Sequence, residues 1–181
     1  MLQWGVATHY VDHSRIKELY ELLIKKTSKK STFTDIKSIV DSVSDNSASK
    51  LPVPNLSEIN YCFKPDSVQK IEERLESVKQ GKVDGLNKEF AEKTLKTMSK
   101  HSPLSMAVVF EQIVRGSKMS LQEVFKMEYK VSQGFMHHGE FFEGVRALLI
   151  DKDNAPKWTH KSISEVKQSE VEAFFNRSED L

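Results

Sequence analysis

Apolar residues return every three or four positions along most of this chain, the spacing that lays one apolar face on an α-helix. After Asp12-His13-Ser14, the residues Ile16, Leu19, Tyr20 and Leu23 predict a first helix. Lys25, Lys26, Lys29 and Lys30 close it, where cations suit the negative end of a helix dipole. A second helix is expected around Ile36, Ile39, Val40 and Val43. From Asp66 onward the pattern is helical almost throughout. Asp66 with Gln69 resembles a capping box ahead of Val68, Ile71, Leu75 and Val78, which Gly81 stops. Leu86, Phe90, Ala91, Leu95 and Met98 make the next stripe, and Ser102-Pro103 opens an apolar helix through Val108, Val109, Phe110 and Ile113. Ser120 with Glu123 forms a further box before Leu121, Val124, Phe125, Glu128, Val131 and Phe135. Ser169 with Glu172 repeats the device before Val171, Phe174 and Phe175.

Only Val6-Ala7-Thr8-His9-Tyr10-Val11 reads as a strand, β-branched and aromatic, with Val6, Thr8 and Tyr10 on one face. A lone strand cannot satisfy its own backbone hydrogen bonds, so the chain reads as incomplete on physical grounds. The small polar run from Asp45 to Ser49, then Pro52 and Pro54, mark 44–56 as a linker. The expected organisation is therefore a strand with its following helices over 1–43, the linker, and a helical region over 57–181.

Composition narrows the function classes. The chain has 181 residues, enough for one domain with a core, and 38% of them are hydrophobic against 29% charged, the balance of a folded, water-exposed chain. No stretch approaches a membrane span. The formal charge of +1 gives no field to draw in nucleic acid or anionic lipid. A single cysteine, Cys62, excludes an internal disulfide and any multi-thiolate metal site, and it reads as a small buried residue beside Phe63. The seven glycines build neither a dinucleotide-binding fingerprint nor a Walker A loop. The first residues, Met1-Leu2-Gln3-Trp4-Gly5, carry neither a secretory nor a transit signature.

Candidate chemistry is sparse. The six histidines form no metal-ligand spacing, so no metal site is expected, and they read as surface or loop residues. Glu128 falls on an apolar stripe, where it either forms an ion pair, with Arg146 as the candidate, or sits at the stripe's edge and reaches solvent. The richest segment runs Glu140-Phe141-Phe142-Glu143-Gly144-Val145-Arg146-Ala147-Leu148-Leu149-Ile150-Asp151-Lys152-Asp153, then Pro156-Lys157-Trp158. Periodicity there says only that a helix ends in a charged turn and an aromatic. Lys152, Lys157 and Trp158 nevertheless place two cations and a flat ring within seven residues, the groups that hold a phosphate and a stacked base. A tryptophan that packs the tail against the body is the competing reading.

That segment resembles the C-terminal signature of 3-hydroxyisobutyryl-CoA hydrolases, members of the enoyl-CoA hydratase (crotonase) superfamily. Gly5-Val6-Ala7-Thr8-His9-Tyr10-Val11, Ser102-Pro103-Leu104-Ser105, and Leu121-Gln122-Glu123-Val124 through Met127-Glu128-Tyr129 resemble further family blocks, in order. The resemblance covers only the C-terminal half of the family's usual length. It implies the mainly α, C-terminal helical part of a crotonase-like (ClpP/crotonase) α/β fold. The Gly-rich oxyanion segments and the acidic pair belong to the other half, so no catalytic residue is expected here; Pro65-Asp66 lacks the glycine turn of the family's P-D-x-G. Asp151-Lys152-Asp153 stands where many hydratases have Glu-Lys-Arg, and Glu140 where the family often has Asp.

The activity so implied is hydrolysis of a β-hydroxyacyl-CoA thioester in valine breakdown, usually mitochondrial and otherwise cytoplasmic. Lys152 and Trp158 would touch the coenzyme A phosphates and adenine, with no cofactor beyond the coenzyme A of the substrate. The implied partners are the acyl-CoA and a crotonase core in the same or another chain, with homo-oligomer formation left open. The alternative is a non-catalytic crotonase-like binding or assembly module, as among proteins of mitochondrial ribosomes.

Overall fold

In the computed structural model, which describes residues 1–45, 47 and 53–177, the regular elements are all helical, and no strand occurs among the described residues. Two units separate, Met1–Leu56 and Ser57–Leu181. Residues 46 and 48–52 of the expected linker lie outside the described residues.

The first unit is built on α1 (Ile16–Lys26) and α2 (Phe33–Val43). Side chains take up backbone donors left unpaired at the 3-10 turn His13–Arg15 that leads into α1 and at the start of α2. Asp12 accepts the Ser14 N–H at 2.9 Å in the turn before α1, and Thr32 with Asp35 forms a reciprocal capping box on α2. Ile39 and Val43 are buried, and Arg15 donates to the Val43 carbonyl at 3.0 Å, tying the start of α1 to the end of α2.

The strand expected over 6–11 does not form. Its alternation fits a sheet, but a strand needs a ladder partner and none occurs among the described residues. The segment instead runs in bends and irregular backbone, held by isolated contacts. The Tyr10 carbonyl accepts the Asp45 N–H at 2.8 Å, and the His9 ring lies between Thr8 Oγ1 at 2.8 Å and Asp41 Oδ1 at 2.6 Å.

The second unit holds two apolar clusters. In the first, α4 (Val68–Lys79) packs on α5 (Lys88–Met98), with α3 (Leu56–Cys62) contributing Cys62 to Ile71, Leu75, Val78 and Ala91. Burying a leucine such as Leu75 contributes about 1.5–3 kcal/mol. In the second, α6 (Pro103–Gly116), α7 (Leu121–His138) and α9 (Gln168–Phe175) enclose Leu104, Val108, Met127, Val131, Val171, Phe174 and Phe175. Phe110 of α6 packs against the first cluster, so α6 serves both.

The Ser102-Pro103 start and the Ser120–Glu123 box form as the sequence predicts. Two other starts shift. Ser67 rather than Asp66 caps α4, accepting the Lys70 N–H at 3.3 Å, while Asp66 pairs with the Lys70 ammonium at 2.8 Å. α9 opens before Ser169, with Glu170 accepting the Lys167 N–H at 2.9 Å.

The apolar stripe of α7 is also rotated from expectation. Met127, Val131 and Gly134 are its buried positions, while Leu121 and Phe125 are 73% and 62% exposed. Ile113 of α6 is 68% exposed as well. These side chains have the pattern of a core face without the covering layer. No helix among the described residues is long and apolar enough to cross a membrane.

Candidate functional site

The charged and aromatic residues singled out in the sequence converge where α8 (Glu140–Val145) runs into a π-helical turn, Arg146–Ile150. Widening the helix there lets the Arg146 carbonyl accept the Asp151 N–H at 2.8 Å. It also buries Ala147, whose carbonyl takes the Asn154 N–H at 3.1 Å. Between those anchors the chain turns sharply, with Lys152 and Asn154 in the left-handed region at φ 56° and 52°. Asparagine tolerates that geometry better than lysine does.

Arg146 organises the turn. Its Nε and Nη2 form a fork on Glu143 at 2.9 and 2.8 Å, and Nη1 donates to Asp151 at 2.6 Å and Asp153 at 2.7 Å. Nη2 also reaches the Ala155 carbonyl at 3.2 Å. A fork onto a carboxylate is among the stronger pairings available to a side chain. Hydrogen bonds from Arg146 and from the Lys157 N–H hold the Glu143 carboxyl down to about 2, and the same acids raise Arg146 above its ordinary value. Asp153 is lowered first by the Ala155 N–H and then by Arg146.

Two carboxylates one helical turn apart on α8 then hold alternate amides of the following segment. Glu143 accepts the Lys157 N–H at 2.6 Å, and Glu140 accepts the Thr159 N–H at 2.9 Å. Burial raises the buried Glu140 carboxyl, but the nearby Ser102 hydroxyl and the Thr159 N–H outweigh it and leave the group below its ordinary value. Between the two clasped amides, Trp158 donates its indole N–H to the Lys100 carbonyl at 3.1 Å. Its ring lies on Gly144, where any Cβ would stand 3.3 Å from the indole. His160 is buried beside Glu170, with Nε2 at 3.2 Å, and lies in irregular backbone, the loop setting that was one of the two readings for the histidines.

The structure therefore puts Lys152 and Trp158 on one continuously tethered segment. Lys152 is exposed and Trp158 half-buried. It does not bring Glu128 to Arg146. Glu128 is exposed on α7 with Gln112 Nε2 at 3.5 Å, while Arg146 takes the nearer acids of its own segment. The hub formed by Glu143, Arg146, Asp151 and Asp153 was not anticipated, although the three-residue spacing of Glu143 and Arg146 was a readable signal. Among the described residues no group of three or more His, Cys, Asp or Glu side chains could hold a metal ion. Burial pushes the Cys62 thiol up, away from the thiolate that a nucleophile needs.

Residues 1–175 match the family model described as enoyl-CoA hydratase/isomerase. The chain is 40% identical over 174 residues to the mitochondrial 3-hydroxyisobutyryl-CoA hydrolase of Dictyostelium discoideum, an alignment covering 94% of this chain and 43% of that protein. With the protein of the same name from Homo sapiens, identity is 36% over 174 residues, again 94% of this chain and 43% of the relative. The chain thus spans less than half the length of these curated relatives. A carnitinyl-CoA dehydratase from Mycobacterium thermoresistibile superposes with a TM-score of 0.74 at 26% identity, covering 97% of this chain and 46% of that one. An enoyl-CoA hydratase from Rhodobacter sphaeroides 2.4.1 gives 0.69 over 95% of this chain and 45% of that one; at 23% identity it shows likeness of fold alone.

Proposed function

The chain belongs to the enoyl-CoA hydratase/isomerase (crotonase) family, and from that premise we propose that it is the C-terminal portion of a 3-hydroxyisobutyryl-CoA hydrolase. The observation that carries this reading is that the relatives reported above share the name of that one hydrolase. In the reaction, water adds to the thioester carbonyl and the carbon–sulfur bond breaks. 3-Hydroxyisobutyrate forms, and the departing thiolate of coenzyme A takes up a proton. The donors for the thioester oxygen and the carboxylates that handle water are assigned to the portion of the relatives that lies outside this chain. Coenzyme A arrives as part of the substrate, and no further cofactor is assigned. A mitochondrial site of action goes with the reading, since the relatives' names carry that word.

Within this chain, Lys152 is assigned to a coenzyme A phosphate and Trp158 to the adenine. Exposure of the ammonium and the partial exposure of the indole support those roles. The tether of Trp158 to Lys100 and Gly144 supports an anchoring role as well, and one ring can serve both.

Thiol release from 3-hydroxyisobutyryl-CoA tests the proposal. The chain alone is expected to match the buffer rate, and the chain combined with a polypeptide carrying the relatives' remaining portion is expected to exceed it. Turnover by the chain alone overturns the assignment of catalysis to the other portion. Absence of turnover in the combined sample favours a second reading, a non-catalytic binding or assembly module, which the exposed apolar faces of α6 and α7 support.

A further inference from the structure

Lys152 lies between two aspartates, and a lysine so placed is ordinarily neutralised by its own neighbours. Here the neighbours are occupied. Arg146 carries five N–H donors, and each makes a hydrogen bond: Nε to Glu143, the Nη1 pair to Asp151 and Asp153, and the Nη2 pair to Glu143 and the Ala155 carbonyl. The second oxygen of Asp153 is taken by the Ala155 N–H at 2.8 Å. Among the described residues no ion pair holds Lys152, and its left-handed backbone, φ 56°, sits between these two fixed aspartates.

We propose that Arg146 is a positioning residue for phosphate recognition: by engaging Asp151 and Asp153 it withholds their carboxylates from Lys152 and leaves that ammonium available to a phosphate of coenzyme A. The inference rests on the coenzyme A reading above and deepens it. Lysine at position 146 could not replace arginine, because an ammonium has three donors and no planar fork. The aspartates would then turn to Lys152, and the site would neutralise itself. Through the Glu143 oxygen shared with the Lys157 N–H, the same guanidinium also fixes the start of the segment that carries Trp158.

The test is calorimetric titration of this chain with coenzyme A at low ionic strength, using Lys152→Ala, Arg146→Lys and the double variant Arg146→Lys/Asp151→Asn. Lys152→Ala and Arg146→Lys are each expected to weaken binding by about three- to tenfold, the range of one charge-assisted contact near solvent. The double variant is expected to regain most of the loss, because a competing carboxylate is gone. A merely structural role for Arg146 predicts the reverse, since the second change removes yet another hydrogen-bond partner.

No binding by the unaltered chain, or no effect of Lys152→Ala, overturns the coenzyme A reading and the inference with it. Weakening by Lys152→Ala with none by Arg146→Lys overturns the inference alone, as does a double variant that stays weak. Calorimetry reports the number of sites separately from affinity, so partial unfolding of Arg146→Lys lowers the former and leaves the test intact. If no folded fraction survives, Arg146 is structural and the inference is overturned.

Discussion

The Glu143 carboxylate accepts the backbone N–H of Lys157 at 2.6 Å, across 14 residues of sequence, while it holds the fork of Arg146. A side chain that does both stabilises the segment only while it is ionised. Its carboxyl is lowered from 4.5 to about 2, so its contribution is fully present above pH 4.5 and is lost as pH falls toward 2. Amide exchange at Lys157, taken relative to the intrinsic amide rate at each pH, should quicken over that window. In Glu143→Gln it should already be fast at neutral pH, with no further acid step of this origin; an unchanged acid step would assign it to another group.

Lys152→Gly should stabilise the fold. Glycine adopts φ 56° without the Cβ clash that lysine suffers there. The gain is expected to be about 0.5–1 kcal/mol after the added freedom of the unfolded chain is counted. Chemical denaturation measures it, and a loss of stability would mean that the Lys152 side chain makes a compensating contact.

Gly134→Ala should destabilise the second unit. A Cβ at that position would stand 2.5 Å from the Phe174 ring, inside the α7–α9 contact. Overpacking costs about 1–3 kcal/mol, against about 1 kcal/mol gained in helix propensity. A net loss of up to roughly 2 kcal/mol in denaturant unfolding is therefore expected.

Trp158→Ala removes both the indole donor to Lys100 and the cover over Gly144. For a half-buried tryptophan a loss of about 2–3 kcal/mol is expected. Trp158→Phe should retain most of the packing and lose only the hydrogen bond, about 0.5–1.5 kcal/mol. Equal losses in the two variants would mean that the hydrogen bond, not the ring, holds the segment.

The exposed apolar residues of α6 and α7 should make the isolated chain associate as its concentration rises. Ile113→Lys combined with Phe125→Lys should lower the sedimentation average without lowering helix content, because neither side chain is in the core. A concentration-independent monomer in the unaltered chain would contradict this.

Helices were legible because their signals are local. Ser102-Pro103 and Ser120 with Glu123 announce their own starts, and Ile71, Leu75 and Val78 share a face by spacing alone. The shift of the α4 cap from Asp66 to Ser67 is a one-residue choice between neighbouring oxygens, settled when Lys70 claimed Asp66. The failed strand over 6–11 and the exposed Phe125 share one cause. Both patterns are written for a surface these residues do not supply, and a sequence records the face without recording its partner. The hub around Arg146 was hidden for a different reason. Glu143 could be paired with Arg146 by spacing, but Asp151 and Asp153 reach it only because the helix widens and the backbone then turns left-handed at Lys152.

Cys62, wholly enclosed with Ile71, Leu75, Val78 and Ala91, has a consequence for anyone handling the molecule. As the chain's sole sulfhydryl, it can be reached by a thiol reagent only when α3 and the α4–α5 layer it packs on come apart. The rate at which a reagent colours the protein is then a readout of that opening. An oxidant that spares the folded form will strike first in whichever copies have come apart.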